Sequence, residues 1–386
     1  ANALAAHIAT VEGKSLVGQK KFQQVWEKCS VELKGESLAL AWYADPWLGI
    51  RIRKQENENK DYLFADRHGM TGIVALGGSV VFGDADAQSV KAFAHAPKPL
   101  VSSLQMVEQL SGADDLTLPT WVSKAATDIV VLHGSVDKAL KHAGRMFDDG
   151  FADGVDGTYD EVLSDLKEAL DLDLQQELYP LLGPQVYLVH GAAEHRDWQP
   201  LVVAFEVKDA ARVAEILSAL IADDPEASEV VLTRDTDRVW HVPGKRGARD
   251  FVLGMLNGVA VYANDLDFAK AALRFDESEA LLTREQLLRL RDRAVKDVAG
   301  RPSLLIVRNP NSDEPTSTAH PLGLVFEGTQ FFADREAHDV GSMQWLPRRL
   351  TMMLARHDLV VGFNDEDGWE FAARSGGQLE VSQDDR

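Results

Sequence analysis

Residues 69–93 read GMTGIVALGGSVVFGDADAQSVKAF, and the reading of this stretch decides the fold. The apolar and β-branched residues at 73–82 have the composition of a strand. An aspartate-rich turn follows, and residues 88–93 carry apolar side chains at helical spacing. The segment reads as strand, turn and helix. Glycine-rich connections of this kind can cradle a phosphate, but a P-loop needs Gly-x4-Gly-Lys-Ser/Thr, because the lysine and hydroxyl reach the phosphates and magnesium. Here DADAQ follows Gly83, and two aspartates at a helix start repel an anion. The dinucleotide pattern fails too, since the glycines fall before and within the strand. VEGKSLVG (11–18) carries a lone GKS without the upstream glycine. Nucleotide binding is rejected. Gly77 and Gly78 are expected to mark a bulge or a close backbone approach.

The same unit recurs along the chain. GVAVYANDLDFAKAAL (258–273) and DLVVGFNDEDGWEFAA (358–373) repeat the plan of strand, Asp/Asn turn and helix. Asp84, Asn264 and Asn364 suit the turns, while Asp86, Asp267 and Asp367 suit helix N-termini. LALAWYADPWL (38–48), with Pro46 placed like a first-turn proline, DIVVLHGSVDKALKHAG (128–144) and LVVAFEVKDAARVAEILSAL (201–220) follow it. EVVLTRDTDRVWHV (229–242) alternates about a central DTD and reads as a hairpin. The expected fold is α+β: several strand–turn–helix units, mostly antiparallel sheets and helices packed on one face. Two to three domains are expected, at 1–110, 116–305 and 319–380, with linker composition near 97–119 and in RNPNSDEPTSTAHP (308–321).

Composition narrows the function classes. The chain has 386 residues and a net charge of −21, which disfavours non-specific contact with nucleic acid or anionic lipid. No run of apolar residues is long enough to span a membrane as a helix. Cys29 is the single cysteine, so no intramolecular disulfide or cysteine-based zinc site can form. Its place in the amphipathic KFQQVWEKCSVEL predicts a buried thiol. The start ANALAAH fits a mature end after signal-peptide cleavage, or a trimmed chain.

FDDGFADGVDGTYDEV (147–162) is the most suggestive polar segment. Asp149, Asp153, Asp156 and Asp160, interleaved with glycines, are candidate ligands for a hard cation such as calcium. The match to an EF-hand loop is partial, with Phe151 at the second ligand position. The competing reading is an acidic loop entering a helix through a Thr158–Glu161 capping box. HGAAEH (190–195) offers His190, Glu194 and His195 without metalloprotease spacing. His133 and His142 read as packing residues. There is no nucleophile elbow and no persuasive carboxylate pair, so no catalytic or cofactor-binding residue is assigned. REQLLRLRDRAVKDVAG (284–300) and LPRRLTMML (346–354) concentrate basic residues and could meet the acidic face of a neighbouring copy.

The stretch HGMTGIVALGGSVVFGDADAQSVKAFAHAPKP (68–99) resembles a family of uncharacterised planctomycete secreted or membrane-attached proteins. The likeness continues through residues 118–151, DLQQELYPLLGPQVYLVHG (173–191) and PLVVAFEVKDAARVAEIL (200–217). It covers roughly 15–275 and is similar to a bacterial domain of unknown function with alternating strand–turn–helix units. It implies export to the periplasm, cell surface or exterior and a longer precursor, but no activity. The leading expectation is a non-enzymatic envelope or extracellular protein that acts through contacts with itself or an envelope partner. A module binding a small ligand or calcium is the alternative, and an enzyme of unrecognised type is third.

Overall fold

The apolar runs join into one antiparallel sheet of thirteen described strands. The computed structural model describes residues 16–29, 37–54, 60–82, 88–113, 116, 119, 121–151, 155–192, 199–222, 224–230, 238–244, 250–256, 258–273, 281, 301–309, 359–364 and 366–375. The strands are β1 Ser37–Ala44, β2 Ala75–Phe82, β3 Gln88–His95, β4 Asp128–His133, β5 Leu182–His190, β6 Leu201–Val207, β7 Ser228–Val230, β8 Arg238–Val242, β9 Phe251–Leu256, β10 Val259–Ala263, β11 Leu304–Arg308, β12 Leu359–Asn364 and β13 Gly368–Ser375. The described helices are α1 Lys20–Cys29, α2 Leu48–Arg53, α3 Lys60–Arg67, α4 Gln105–Glu108, α5 Val136–Leu140, α6 Gly144–Phe151, α7 Thr158–Leu170, α8 Leu174–Glu177, α9 Ala210–Ile221 and α10 Leu266–Ala272. In space the strands run β1-β2-β3-β13-β12-β11-β4-β5-β6-β10-β9-β8-β7. The C-terminal hairpin β12–β13 thus sits between β3 and β11, inside the sheet.

The α+β class and the antiparallel pairing hold. Helices on one face do not. Side chains alternate across a strand, and here both sides are core. Ile129 and Val131 belong to one apolar cluster, with Val307 and Val361. Val130 belongs to the opposite one, with Ile306 and Val360. On β10, Val261 and Ala263 pack with Ala269 and Ala272 of α10, while Ala260 packs with Val213 and Leu217 of α9. A sheet covered on both faces needs apolar residues at successive positions, as LVVAFEV in β6 has.

Four strand–turn–helix units form as expected: β1–α2, β4–α5, β6–α9 and β10–α10. The hairpin at 229–242 also forms, with Glu229 opposite Trp240. Two units fail. Residues 88–93, read as helix, lie in β3, which pairs in full with β2. Residues 368–373, also read as helix, lie in β13, paired with β12 and β3. In both, Val90, Ala92 and Ala94 or Trp369, Phe371 and Ala373 project to one side, and that period of two defines the strand. On α10 the N-cap is Asp265, which accepts from the Phe268 amide at 2.6 Å, two residues before the expected Asp267. Asn264 instead accepts from the Leu201 amide of the next strand at 2.7 Å.

Gly77 and Gly78 sit inside β2, and the close approach is real. A Cβ at Gly77 would stand 2.2 Å from Val25 Cγ1 of α1. Ser79 then donates to the Cys29 carbonyl at 2.7 Å, pinning the end of that helix to the strand. Cys29 is 3% exposed, as expected. The turn at 83–87, the basic segments 284–300 and 346–354, and 310–321 lie outside the described residues.

Candidate functional site

The segment Gly134–Ala143 supplies small side chains where helices meet the sheet. Gly134, Ser135, Ala139 and Ala143 line a cavity of about 360 Å³ between β4–β6 and the helices above them. Its floor is a set of directly opposed residues. Leu132 on β4 faces Val186 on β5, which faces Phe205 on β6, and Leu188 faces Val203. Alternation sends their neighbours Val131, Tyr187, Val189 and Ala204 into the opposite core. The roof comes from Met106 and Val107 of α4, Leu140 of α5, and Met146 and Phe147 of α6. The lining is almost wholly apolar.

The polar side chains of the lining are Gln109, Ser135 and two phenols. Tyr159 of α7 and Tyr179, in the 3-10 turn after α8, both line the cavity, and their hydroxyls hydrogen-bond at 2.5 Å. Tyr159 also reaches the Leu140 carbonyl at 3.4 Å, the long limit for such a bond. Burial raises the Tyr159 hydroxyl well above the ordinary phenol value, and its bond with Tyr179 raises it further. Burial raises Tyr179 as well. Both are neutral donors at physiological pH.

The cavity wall α6 is held by carboxylates at its C-terminal end. Asp148, 4% exposed, accepts from the Gly157 amide at 2.8 Å and the Tyr159 amide at 2.7 Å. It caps α7 from a neighbouring helix, which the expected Thr158–Glu161 box does not do. Gly157, at φ +91°, is the N-cap residue, and Thr158 donates to the Val155 carbonyl instead. Asp149 points away from the cavity's phenols to α3. Its Oδ2 lies 2.6 Å from His68 Nε2, and Arg67 grips both its oxygens.

The three described candidate cation ligands do not share one environment. Asp149 and Asp156 converge on Arg67, at 2.8 Å each, so a guanidinium occupies the space between them. Asp160 is exposed in the first turn of α7. Asp153 lies outside the described residues. Among the described residues, no group of three or more His, Cys, Asp or Glu side chains is arranged to hold a metal ion. His190 is buried at the end of β5, with Nδ1 2.7 Å from Asp128, while Glu194 and His195 lie outside the described residues. His133 bonds the Ser111 carbonyl at 2.8 Å.

One arrangement mimics hydrolytic chemistry. Ser103 Oγ is 2.8 Å from His68 Nδ1, whose ring reaches Asp149 on its other side. A nucleophile must meet its substrate, but Ser103 and His68 are both 0% exposed. The trio ties α3, α6 and the Ser102–Leu104 turn together. Sequence reasoning missed this trio, Asp148 and the cavity. The small residues at 134, 135, 139 and 143 were the one available signal. No family model, curated protein or solved structure matches the chain.

Proposed function

We propose that the protein is a binding module for a small apolar ligand, held between β4–β6 and helices α4–α7. The observation that carries this reading is the 360 Å³ carbon-lined cavity, within the range of small-molecule sites of about 300–1,000 Å³. Water in such a space touches mostly hydrocarbon, so an apolar ligand that displaces it is the favourable occupant. The envelope setting of the reading rests on the sequence resemblance. The calcium alternative is weakened by Arg67, which claims two of the four aspartates.

Nile red tests the reading. Wild type should bind the dye with a blue-shifted emission, and Ala139→Trp, whose indole intrudes into the cavity, should weaken binding at least tenfold while still unfolding cooperatively. Equal dye binding by the two proteins would sink the proposal.

Protein–protein contact is a second reading, favoured by one patch. Leu48 and Ile52 lie one turn apart on α2 and are 49% and 71% exposed. Exposed apolar groups clustered in this way mark contact surfaces.

A further inference from the structure

We infer that the cavity takes an uncharged, mostly hydrocarbon molecule whose single oxygen head group hydrogen-bonds to the Tyr159–Tyr179 hydroxyl pair. The inference rests on the ligand-binding reading above and adds the chemical class.

Charge decides the first part. No Asp, Glu, Lys, Arg or His is among the described lining residues. An ionised head drawn into such a site would lose its hydration with no countercharge to replace it. A neutral head loses far less.

Hydrogen-bond accounting decides the second part. Each phenol has one proton to donate. One is used between the two hydroxyls. The other has the Leu140 carbonyl at 3.4 Å, a weak contact. A ligand oxygen placed near the pair would accept that proton at normal length. Tyr159 would then donate to Tyr179 and Tyr179 to the ligand, or the reverse. Because burial raises both phenols, the pair stays protonated and donating. The matching head is an acceptor such as an alcohol, ester or ketone oxygen. The floor of opposed aliphatic and aromatic side chains from β4, β5 and β6 suits an alkyl body laid across the strands.

Competition with bound Nile red at pH 8, using decane, 1-decanol and sodium decanoate, tests this. Decanol should displace the dye at a concentration at least tenfold below decanoate. Tyr179→Phe should weaken decanol three- to tenfold and leave decane within twofold of wild type. Should Tyr179→Phe fold poorly, Tyr159→Phe makes the same comparison, and the wild-type ratio of decanol to decanoate stands without either variant. Decanoate equal to or better than decanol would overturn the inference. A decanol affinity unmoved by both Phe variants would overturn it as well. Dye and decane binding without head-group discrimination removes this inference alone, whereas failure of every ligand to bind removes the ligand-binding reading with it.

Discussion

Asp149 Oδ2 lies 2.6 Å from Nε2 of His68, a histidine with no exposed surface, and this contact joins the cavity wall α6 to the end of α3. Burial alone would raise the Asp149 carboxyl. The hydrogen bond and charge of His68, together with Arg67, outweigh burial and hold it below the ordinary carboxylate value. A carboxyl depressed on folding contributes stability that is present above its unfolded value, about 3.9. That stability is lost as pH falls through the lower folded value. Urea midpoints measured from pH 7 to pH 2.5 should therefore fall below about pH 4, and fall less steeply in Asp149→Asn. At pH 7, Asp149→Ala should cost roughly 3 kcal/mol, because it leaves a buried imidazole and a guanidinium without their shared acceptor. A parallel acid limb in Asp149→Asn would remove this account.

Gly77 and Gly72 make a matched pair of tests. A Cβ at Gly77 would press on Val25 of α1, whereas one at Gly72 meets nothing within 4 Å. Gly77→Ala should cost about 1–3 kcal/mol by pushing the helix off the sheet. Gly72→Ala should stay within about 1 kcal/mol of wild type. Equal melting temperatures for the two variants would contradict the packing role. Since Gly77 packs against Val25 of α1, saturating ATP or NAD should leave the melting temperature unmoved.

Why some of this was legible and some not follows from particular residues. In GVAVYANDLDFAKAAL the helix continues long enough, with Ala269 and Ala272 on one side, for its period to separate from a strand's. In QSVKAFAH, Val90, Phe93 and Ala94 satisfy the helical spacing, while Val90, Ala92 and Ala94 satisfy alternation. Short alanine-containing runs permit both. An Asp/Asn turn settles nothing, because it serves a hairpin as well as a helix start. Pairing with β2 and β13 decides β3, and that information lies far away in sequence. The cavity was harder still. Its walls come from five stretches between Met106 and Phe205, none carrying a motif, and it exists because small side chains at 134–143 leave space unfilled. The acidic loop was noticed for its aspartates, yet their partners Arg67 and His68 precede it by some 80 residues.

Asp148 connects stability to the site. Its two bonds satisfy amides at the start of α7, one of them the amide of Tyr159 itself. Asp148→Ala should cost roughly 2 kcal/mol, in line with the loss of a strong N-cap. Decanol should also bind more weakly, because the Tyr159 ring is no longer held against Phe147, whose centroid lies 5.4 Å away. Loss of stability with unchanged decanol affinity would separate the cap from the site.

Cys29 should be chemically silent. Burial pushes its thiol up to about 12, with the Glu370 charge adding to the effect and Lys91 opposing it. Only the thiolate reacts at useful rates. Ellman's reagent at pH 8 should give no colour with native protein and one equivalent in denaturant. Rapid reaction in the folded state would mean that α1 detaches from β2 and β3.

The last expectation concerns association. β1 is an edge strand, paired with β2 alone among the described strands, and a register shift between Leu38 and Leu40 interrupts its ladder. Bulges of that kind blunt an edge against pairing with another sheet. If copies meet, the contact is therefore made by side chains, with the exposed Leu48 and Ile52 of α2 as its apolar centre. Apolar contact is little affected by salt, whereas charge-driven contact weakens as ions screen it. Sedimentation at tens of micromolar should show an oligomer that persists in 0.5 M sodium chloride, about where screening of surface charge is nearly complete. The double variant Leu48→Glu with Ile52→Glu should be monomeric. A wild type that sediments as a monomer at both low and high salt would end the self-association reading and leave these residues to a different partner.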